Sequence, residues 1–471
     1  MANISVVVAA RNYGRFLTEC LESIAAQTVP PSEIVYSDDG SEDESVAVAH
    51  AAFDQMSRRI ETKVVSQDQA GVCAARNAGV ARTTGQFLVH VDGDDVLTPT
   101  FLQEHLTAMT PVSSFAYGPA ESFGLREAMW EVPAWNAARL WSENYVNTSA
   151  MVRRVAFEMA GGWREGCGTM WDWDMALRLS RRGFGVPSKG LLRYRQHGDN
   201  WSMTHEGKFG SDPFAMAKYR GMVRRQCATA SICCPFSGRI PRLFSAWLDA
   251  ISKSIRQFNA GELGCQAPEL IVLDNSQDGI AGTLLSDVEP TLLDAFGGIT
   301  CVAFPPAQQD YADEQQRRDA VASFMASACN RLLDLASGEI VWFVEDDVVM
   351  PPLAYGAMLT SLTDGDQPLA CVSGLYRNRH LADEWVAHYA WNGKPKPVVA
   401  LSANGQAVDL AGTGCLMIFR PLAGHRFTSH WHRSAAHDWA WCEQLRVTTG
   451  QRVWLLPRVR CRHFQTEEAW V

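Results

Sequence analysis

FLVHVDGDDVLTP, residues 87–99, joins an apolar run to three aspartates, Asp92, Asp94 and Asp95, set around one glycine. A short apolar run bounded by turn residues reads as a buried strand. Carboxylates crowded at its tip raise one another's ionisation cost unless a cation stands between them. The tip is therefore either a metal site or a cluster facing water. Residues two apart on an extended chain point the same way, so Asp92 and Asp94 can address one ligand. A second passage, IVWFVEDDVVMPP at 340–352, repeats the design with Glu345, Asp346 and Asp347.

Outward from the first tip, strand and helix alternate. NISVVVAA is an apolar strand, LTECLESIAAQT has helical spacing, and SEIVYSDDGS is a second strand ending at Asp38 and Asp39. KVVSQ follows as a third, and AGVCAARNAGVARTTGQ reads as a helix closed by Gly85 before the acidic strand. Such alternation predicts an α/β fold with an open, mostly parallel, Rossmann-like sheet flanked by helices. The pattern restarts near residue 228 with ATASICCPFSGRIP, LFSAWLDAISKSI and PELIVLDNSQD. Spacings repeat as well. Asn77 to Gly85 and Asn330 to Gly338 are both 8 positions, and Gly85 to Asp92 and Gly338 to Glu345 are both 7. WDWDMALRLSRRG at 171–183 matches HDWAWCEQLRVTTG at 437–450, and Asp172 to His197 equals Asp438 to His463 at 25. Several equalities in one order predict two tandem copies of a domain, over 1–224 and 225–471.

A chain of 471 residues exceeds the size at which one core usually stops growing. Its formal charge of -10 argues against a non-specific grip on nucleic acid or an anionic membrane. No stretch approaches the roughly 20 apolar residues of a membrane span, and MANISVVVAARN lacks the charged lead of a signal peptide, so a cytoplasmic location is expected. Thirteen cysteines without a CxxC pair read as reduced structural thiols.

The motifs SDDGS, GVCAARNAG, HVDGDD, GGWREG followed by WDWD, and YRQHGDNWS, in this order, resemble a family 2 glycosyltransferase of the GT-A fold. The resemblance covers residues 1–224 and implies inverting transfer of a sugar from a nucleotide sugar. It implies that Asp39 contacts the base and Arg76 the ribose or phosphate region, that Asp92 lies against the ribose, and that Asp94 and His197 hold a metal. Asp172 is the implied general base. Hard carboxylate ligands suit Mg²⁺ or Mn²⁺. The turn after the first strand departs from the family pattern, with Ala9 and Arg11 ahead of Asn12; a UDP-sugar is the first expectation for the donor.

The second copy resembles the same family more distantly. Asn275 stands at the place of Asp39, Glu345 and Asp347 at those of Asp92 and Asp94, Asp438 at that of the base and His463 at that of the late histidine. Cys329 replaces Arg76, and the adjacent Arg331 is a candidate to restore its charge. AGTGCLMIFRP, residues 411–421, resembles an acceptor wall.

Retention of these carboxylates predicts a bifunctional metal-dependent enzyme that adds sugars to a saccharide or glycoconjugate acceptor, one linkage per domain. The alternative is one active N-terminal domain with a C-terminal scaffold or saccharide-binding module. A nucleotidyltransferase would want a glycine-rich phosphate loop after the first strand, which neither VVVAARNYG nor ICCPFSGR offers. Trp171, Trp173, Trp439 and Trp441, beside the two candidate bases, are candidate platforms for sugar rings.

Overall fold

The computed structural model describes residues 3–165, 170–198, 200, 213–259, 266–305, 312–365, 367–376, 387–391, 394–397, 405–423, 425–428 and 437–463. The chain divides into two compact units, Met1–Tyr219 and Arg220–Val471. The division falls inside the helix Pro213–Cys227, which also contains the boundary placed at 224/225 from sequence.

In the first unit the strands Ile4–Ala10 and Glu33–Asp38 are buried at every position, which is why they read as continuous apolar runs without alternation. They belong to a seven-stranded sheet whose spatial order is 184–187, 113–117, 151–153, 87–92, 4–10, 33–38, 61–66. Strand Met151–Arg153 is antiparallel to both neighbours, and the other pairings are parallel. A smaller sheet places strand Leu192–Gln196 between Val96–Leu97 and Ala120–Gly124.

The second unit repeats this order with one strand more. Its main sheet runs 298–303, 269–274, 230–236, 340–344, 415–419, 371–375, 453–460, 406–408. Strand Cys415–Phe419 is antiparallel to both neighbours, as Met151–Arg153 is in the first unit. The acidic passages leave the carboxyl ends of corresponding strands, Phe87–Asp92 and Ile340–Val344.

One buried polar lock occurs in both sheets. Ser5 Oγ donates to Glu33 Oε1 at 2.6 Å, while Gly85 N donates to Ser5 Oγ at 2.8 Å and Thr84 N to Glu33 Oε1 at 2.6 Å. Ser231 Oγ donates likewise to Glu269 Oε1 at 2.5 Å, Gly338 N to Ser231 Oγ at 2.9 Å and Ser337 N to Glu269 Oε1 at 2.7 Å. Burial works against the Glu33 carboxylate, but the donors prevail and hold its pKa below the ordinary value. A second shared device ties the following helix down. Asn77 and Trp163 exchange bonds of 2.7 and 2.9 Å through the Asn77 amide, and Asn330 and Phe427 do the same at 2.8 Å each. The repeated spacings are thus the signature of a repeated set of hydrogen bonds.

One sequence reading needs correction. The helix expected to close at Gly85 is Val72–Val80 and stops five residues earlier, where Thr83 Oγ1 bonds the Val80 carbonyl at 2.7 Å. Gly85 serves the sheet instead. A Cβ there would lie 2.3 Å from Ser5 Oγ and 2.7 Å from the Ser5 nitrogen. Gly85→Ala is therefore expected to lower stability by about 1–3 kcal/mol, the usual cost of overpacking a closed site; an unchanged urea midpoint would refute this account of the lock.

Candidate functional site

At the end of strand Phe87–Asp92 the chain turns at Gly93, where a Cβ would sit 2.6 Å from that of Ala10. The tight turn sends Asp94 and Asp95 back into the protein, 4% and 2% exposed, while the Asp92 side chain keeps 32% of its surface. Burial first, and the charge of Asp92 second, push the Asp94 carboxyl up to about 7. Burial and the neighbouring aspartates raise Asp95 as well.

Strand Leu192–Gln196 supplies most of the compensation. Arg195 N donates to Asp95 Oδ1 at 3.0 Å and its Nε to the Asp94 carbonyl at 2.8 Å. His197 Nε2 lies 3.0 Å from Asp94 Oδ2, which also accepts Asn200 Nδ2 at 3.1 Å. The His197 ring packs on Phe16 and Tyr13, with centroids 4.6 and 5.6 Å apart. Asp94 and His197 therefore meet, and a carboxylate oxygen with an imidazole nitrogen is a donor pair suited to Mn²⁺ or Mg²⁺. Asn200, within the quoted YRQHGDNWS, is a partner that the sequence reading did not single out; Trp201 and Ser202 of that motif lie outside the described residues.

Arg76 links this tip to the candidate base. It is 1% exposed, and its Nη2 donates to Asp92 Oδ1 at 2.7 Å. Its guanidinium faces Trp163 and Trp171 at 4.8 and 5.6 Å, while Nε and Nη1 are buried without a hydrogen-bond partner among the described residues. Two idle guanidinium donors are costly unless an anion completes them.

Asp172 opens the helix Trp171–Ser180 and is half-buried; the Trp173 N–H donates to its Oδ1 at 2.7 Å. Desolvation raises its carboxyl to about 6, against the lowering effects of Trp173 N–H, Arg76 and Asn144. Asp174, two residues on, is fully buried between Arg164 and Arg178 and is a structural ion pair. Trp173 is also structural: it is buried and its Nε1 bonds the Leu140 carbonyl at 2.6 Å, which removes it as a sugar platform.

Asp39 is not turned towards open space. Its carboxylate accepts Gln67 Nε2 and Ala70 N at 2.8 Å each and Gly71 N at 3.0 Å, so it shapes the loop ahead of the helix Val72–Val80. Arg11 is engaged with the Gly40 carbonyl at 3.3 Å and with Glu42 at 3.3 Å.

The second unit gathers the matching residues differently. Donor atoms of Glu345, Asp347 and His463 all lie within 4.8 Å of one another. His463 arrives on strand Arg462–His463, which pairs with Val348–Val349. Asp347 Oδ1 is 3.5 Å from His463 Nε2, and its Oδ2 forms an ion pair with Arg239. Thr413 Oγ1 donates to Glu345 Oε1 at 3.0 Å. Asp346 fixes the turn after strand Ala230–Phe236 by accepting Ser237 N at 3.0 Å and Gly238 N at 3.2 Å.

Asn275 is half-buried, and its N–H bonds the Phe236 carbonyl at 3.0 Å. Asp438 is half-buried in the first turn of the helix His437–Thr449. Trp441 is a core residue stacked on Phe427, and the Trp439 side chain lies outside the described residues. Cys329 is fully buried, whereas Arg331, two positions along the same helix, is exposed. Two helical positions turn the chain by about 200°, so Arg331 faces away and does not restore the charge of Arg76.

Residues 5–157 match the family described as Glycosyl transferase family 2. The chain carries a glycosyltransferase family 2 domain. Over 213 residues it is 29% identical to the uncharacterized glycosyltransferase YwdF of Bacillus subtilis, covering 42% of this chain and 77% of that protein. It is 25% identical over 213 residues to the hyaluronan synthase of Pasteurella multocida, covering 43% of this chain and 21% of the synthase. The matched region thus spans about a fifth of that synthase. Among solved structures, S. aureus TarS is 16% identical with a TM-score of 0.36, covering 48% of this chain and 42% of that one. No helix among the described residues is long and apolar enough to cross a membrane.

A base near pKa 6 must be deprotonated to act, so activity that depends on Asp172 is expected to rise with pH through about 6 and level off above it. A kcat/KM profile from pH 5 to 8 checks this; a profile flat across that range would remove Asp172 from the role.

Proposed function

We propose that the chain is a bifunctional, metal-dependent, inverting glycosyltransferase that takes sugars from nucleotide-sugar donors, UDP-sugars first among them, to a saccharide or glycoconjugate acceptor, one linkage per unit. In this reading the domains are 1–224 and 225–471, and both have the GT-A fold. The observation that carries the first site is Arg76: it bonds Asp92, keeps two buried donors unspent, and acts electrostatically on Asp172. A diphosphate completes the guanidinium, and the desolvated carboxylate serves as base.

The reaction follows from those groups. Asp172 takes the proton of an acceptor hydroxyl as that oxygen attacks the anomeric carbon. The bond from this carbon to the donor phosphate breaks on the opposite face, and the nucleoside diphosphate leaves with the electron pair. Arg76 meets the growing charge with donors already oriented. Asp94 and His197 would hold the divalent ion, which as a Lewis acid supplies further stabilisation of the leaving diphosphate.

Support for a second active site is the repeated strand order, the repeated Ser–Glu–Gly lock, and the convergence of Glu345, Asp347 and His463. Asp438 is the corresponding base. The names of the hyaluronan and chondroitin synthases among the relatives favour a saccharide acceptor.

Two tests separate the claims. EDTA is expected to abolish transfer from both sites, with Mn²⁺ restoring it; full activity in chelator would end the metal assignment. Asp172→Asn and Asp438→Asn are each expected to remove one linkage by about 10²–10⁴-fold while sparing the other, as loss of a general base does. If Asp438→Asn leaves every product unchanged, the alternative of a C-terminal scaffold or saccharide-binding module stands.

A further inference from the structure

The two acidic tips are balanced by cations in different places. In the first unit Arg76, on the helix Val72–Val80, pairs with Asp92, beside the Arg195 that serves Asp94 and Asp95; in the second the helix position of Arg76 is Cys329, buried and uncharged. The turn after the first strand shows the opposite change. Ser5 and Ser231 occupy the same place in the repeated lock, and eight residues beyond them stand Tyr13 and Arg239. Tyr13 is an uncharged phenol packed on His197, whose ring nitrogen contacts Asp94. Arg239 is paired with Asp347, the counterpart of Asp94.

We propose that Arg239 is the residue that receives the donor diphosphate in the C-terminal unit, and that it guards Asp347 until a divalent ion takes its place. The inference rests on the reading of this unit as a second metal and donor site. Asp347 is 4% exposed as a side chain, whereas that of Arg239 is 47% exposed. The carboxylate is enclosed by the protein, while the guanidinium reaches it from an exposed turn. A planar guanidinium is suited to two phosphate oxygens, and a dication on Asp347 Oδ1, the oxygen nearest His463, would sit close enough to the guanidinium on Oδ2 to repel it. Asp347, Glu345 and His463 would hold the ion, Arg239 would be released from the carboxylate when they do, and the donor diphosphate would give the displaced guanidinium its new partner. Metal and donor should therefore bind this unit cooperatively.

The test uses the full chain carrying Asp94→Asn, which removes the main metal ligand of the first unit. Mn²⁺ uptake is followed by loss of the free-ion EPR signal, and UDP binding at saturating Mn²⁺ by calorimetry. Adding Arg239→Ala is expected to tighten Mn²⁺ by at least about tenfold and to weaken a UDP-binding step by about tenfold; Arg239→Lys, which keeps the charge, should stay closer to the parent in both. Unchanged Mn²⁺ affinity or an unchanged UDP step in Arg239→Ala would overturn the proposal while leaving the second site in place. A chain that takes up no Mn²⁺ with either Arg239 or Ala there, while the same chain with Asp94 restored does, overturns both the proposal and the underlying reading of the site.

Discussion

A carboxylate held out of water must be neutralised, and Asp94 is such a carboxylate. Its position at the end of strand Phe87–Asp92 follows from Gly93, which lets the chain turn against Ala10 and bury the next two acids. An isolated charge at that depth is expensive. The smaller sheet answers this demand: strand Leu192–Gln196 pairs with Val96–Leu97, just past the acidic turn, and so carries Arg195 and His197 onto Asp95 and Asp94. The sheet that looks like an accessory to the fold is what makes its acidic centre tolerable.

The same constraint explains why two units with one strand order differ at their tips. The scaffold bonds concern backbone geometry, and Ser5, Glu33 and Gly85 recur as Ser231, Glu269 and Gly338. The charge balance is not tied to backbone geometry in this way. Any cation that reaches the acids from a neighbouring element will serve, so the first unit draws on a helix and a strand, through Arg76 and Arg195, and the second on a turn, through Arg239.

Features set by local pattern were legible in the sequence. Continuous apolar runs gave buried strands, and equal spacings marked equivalent hydrogen-bonding positions in both sheets. Features set by contacts between distant segments were not. The roles of Trp173 and Trp441 depend on which helix face meets the core, so residues flanking a candidate base turned out to be packing residues. Gly85 looked like a helix stop because Gly commonly is one, whereas its place is fixed by Ser5, 80 positions earlier. Arg239 lies 108 positions before Asp347, and nothing in the local sequence marks it as that acid's partner.

Asp172 and Asp174 show how differently two acids of one helical turn can be held. Both lie in the first turn of one helix, where a negative charge is favoured by the helix dipole. Asp174 is enclosed by two guanidinium groups, and both its oxygens are committed to them. Asp172 has a backbone N–H, the Asn144 side chain and the nearby charge of Arg76, which together fall short of the cost of desolvation and leave its pKa raised. The difference between the two acids is that Arg164 and Arg178 close on Asp174, whereas Asp172 has no such pair of guanidinium partners among the described residues.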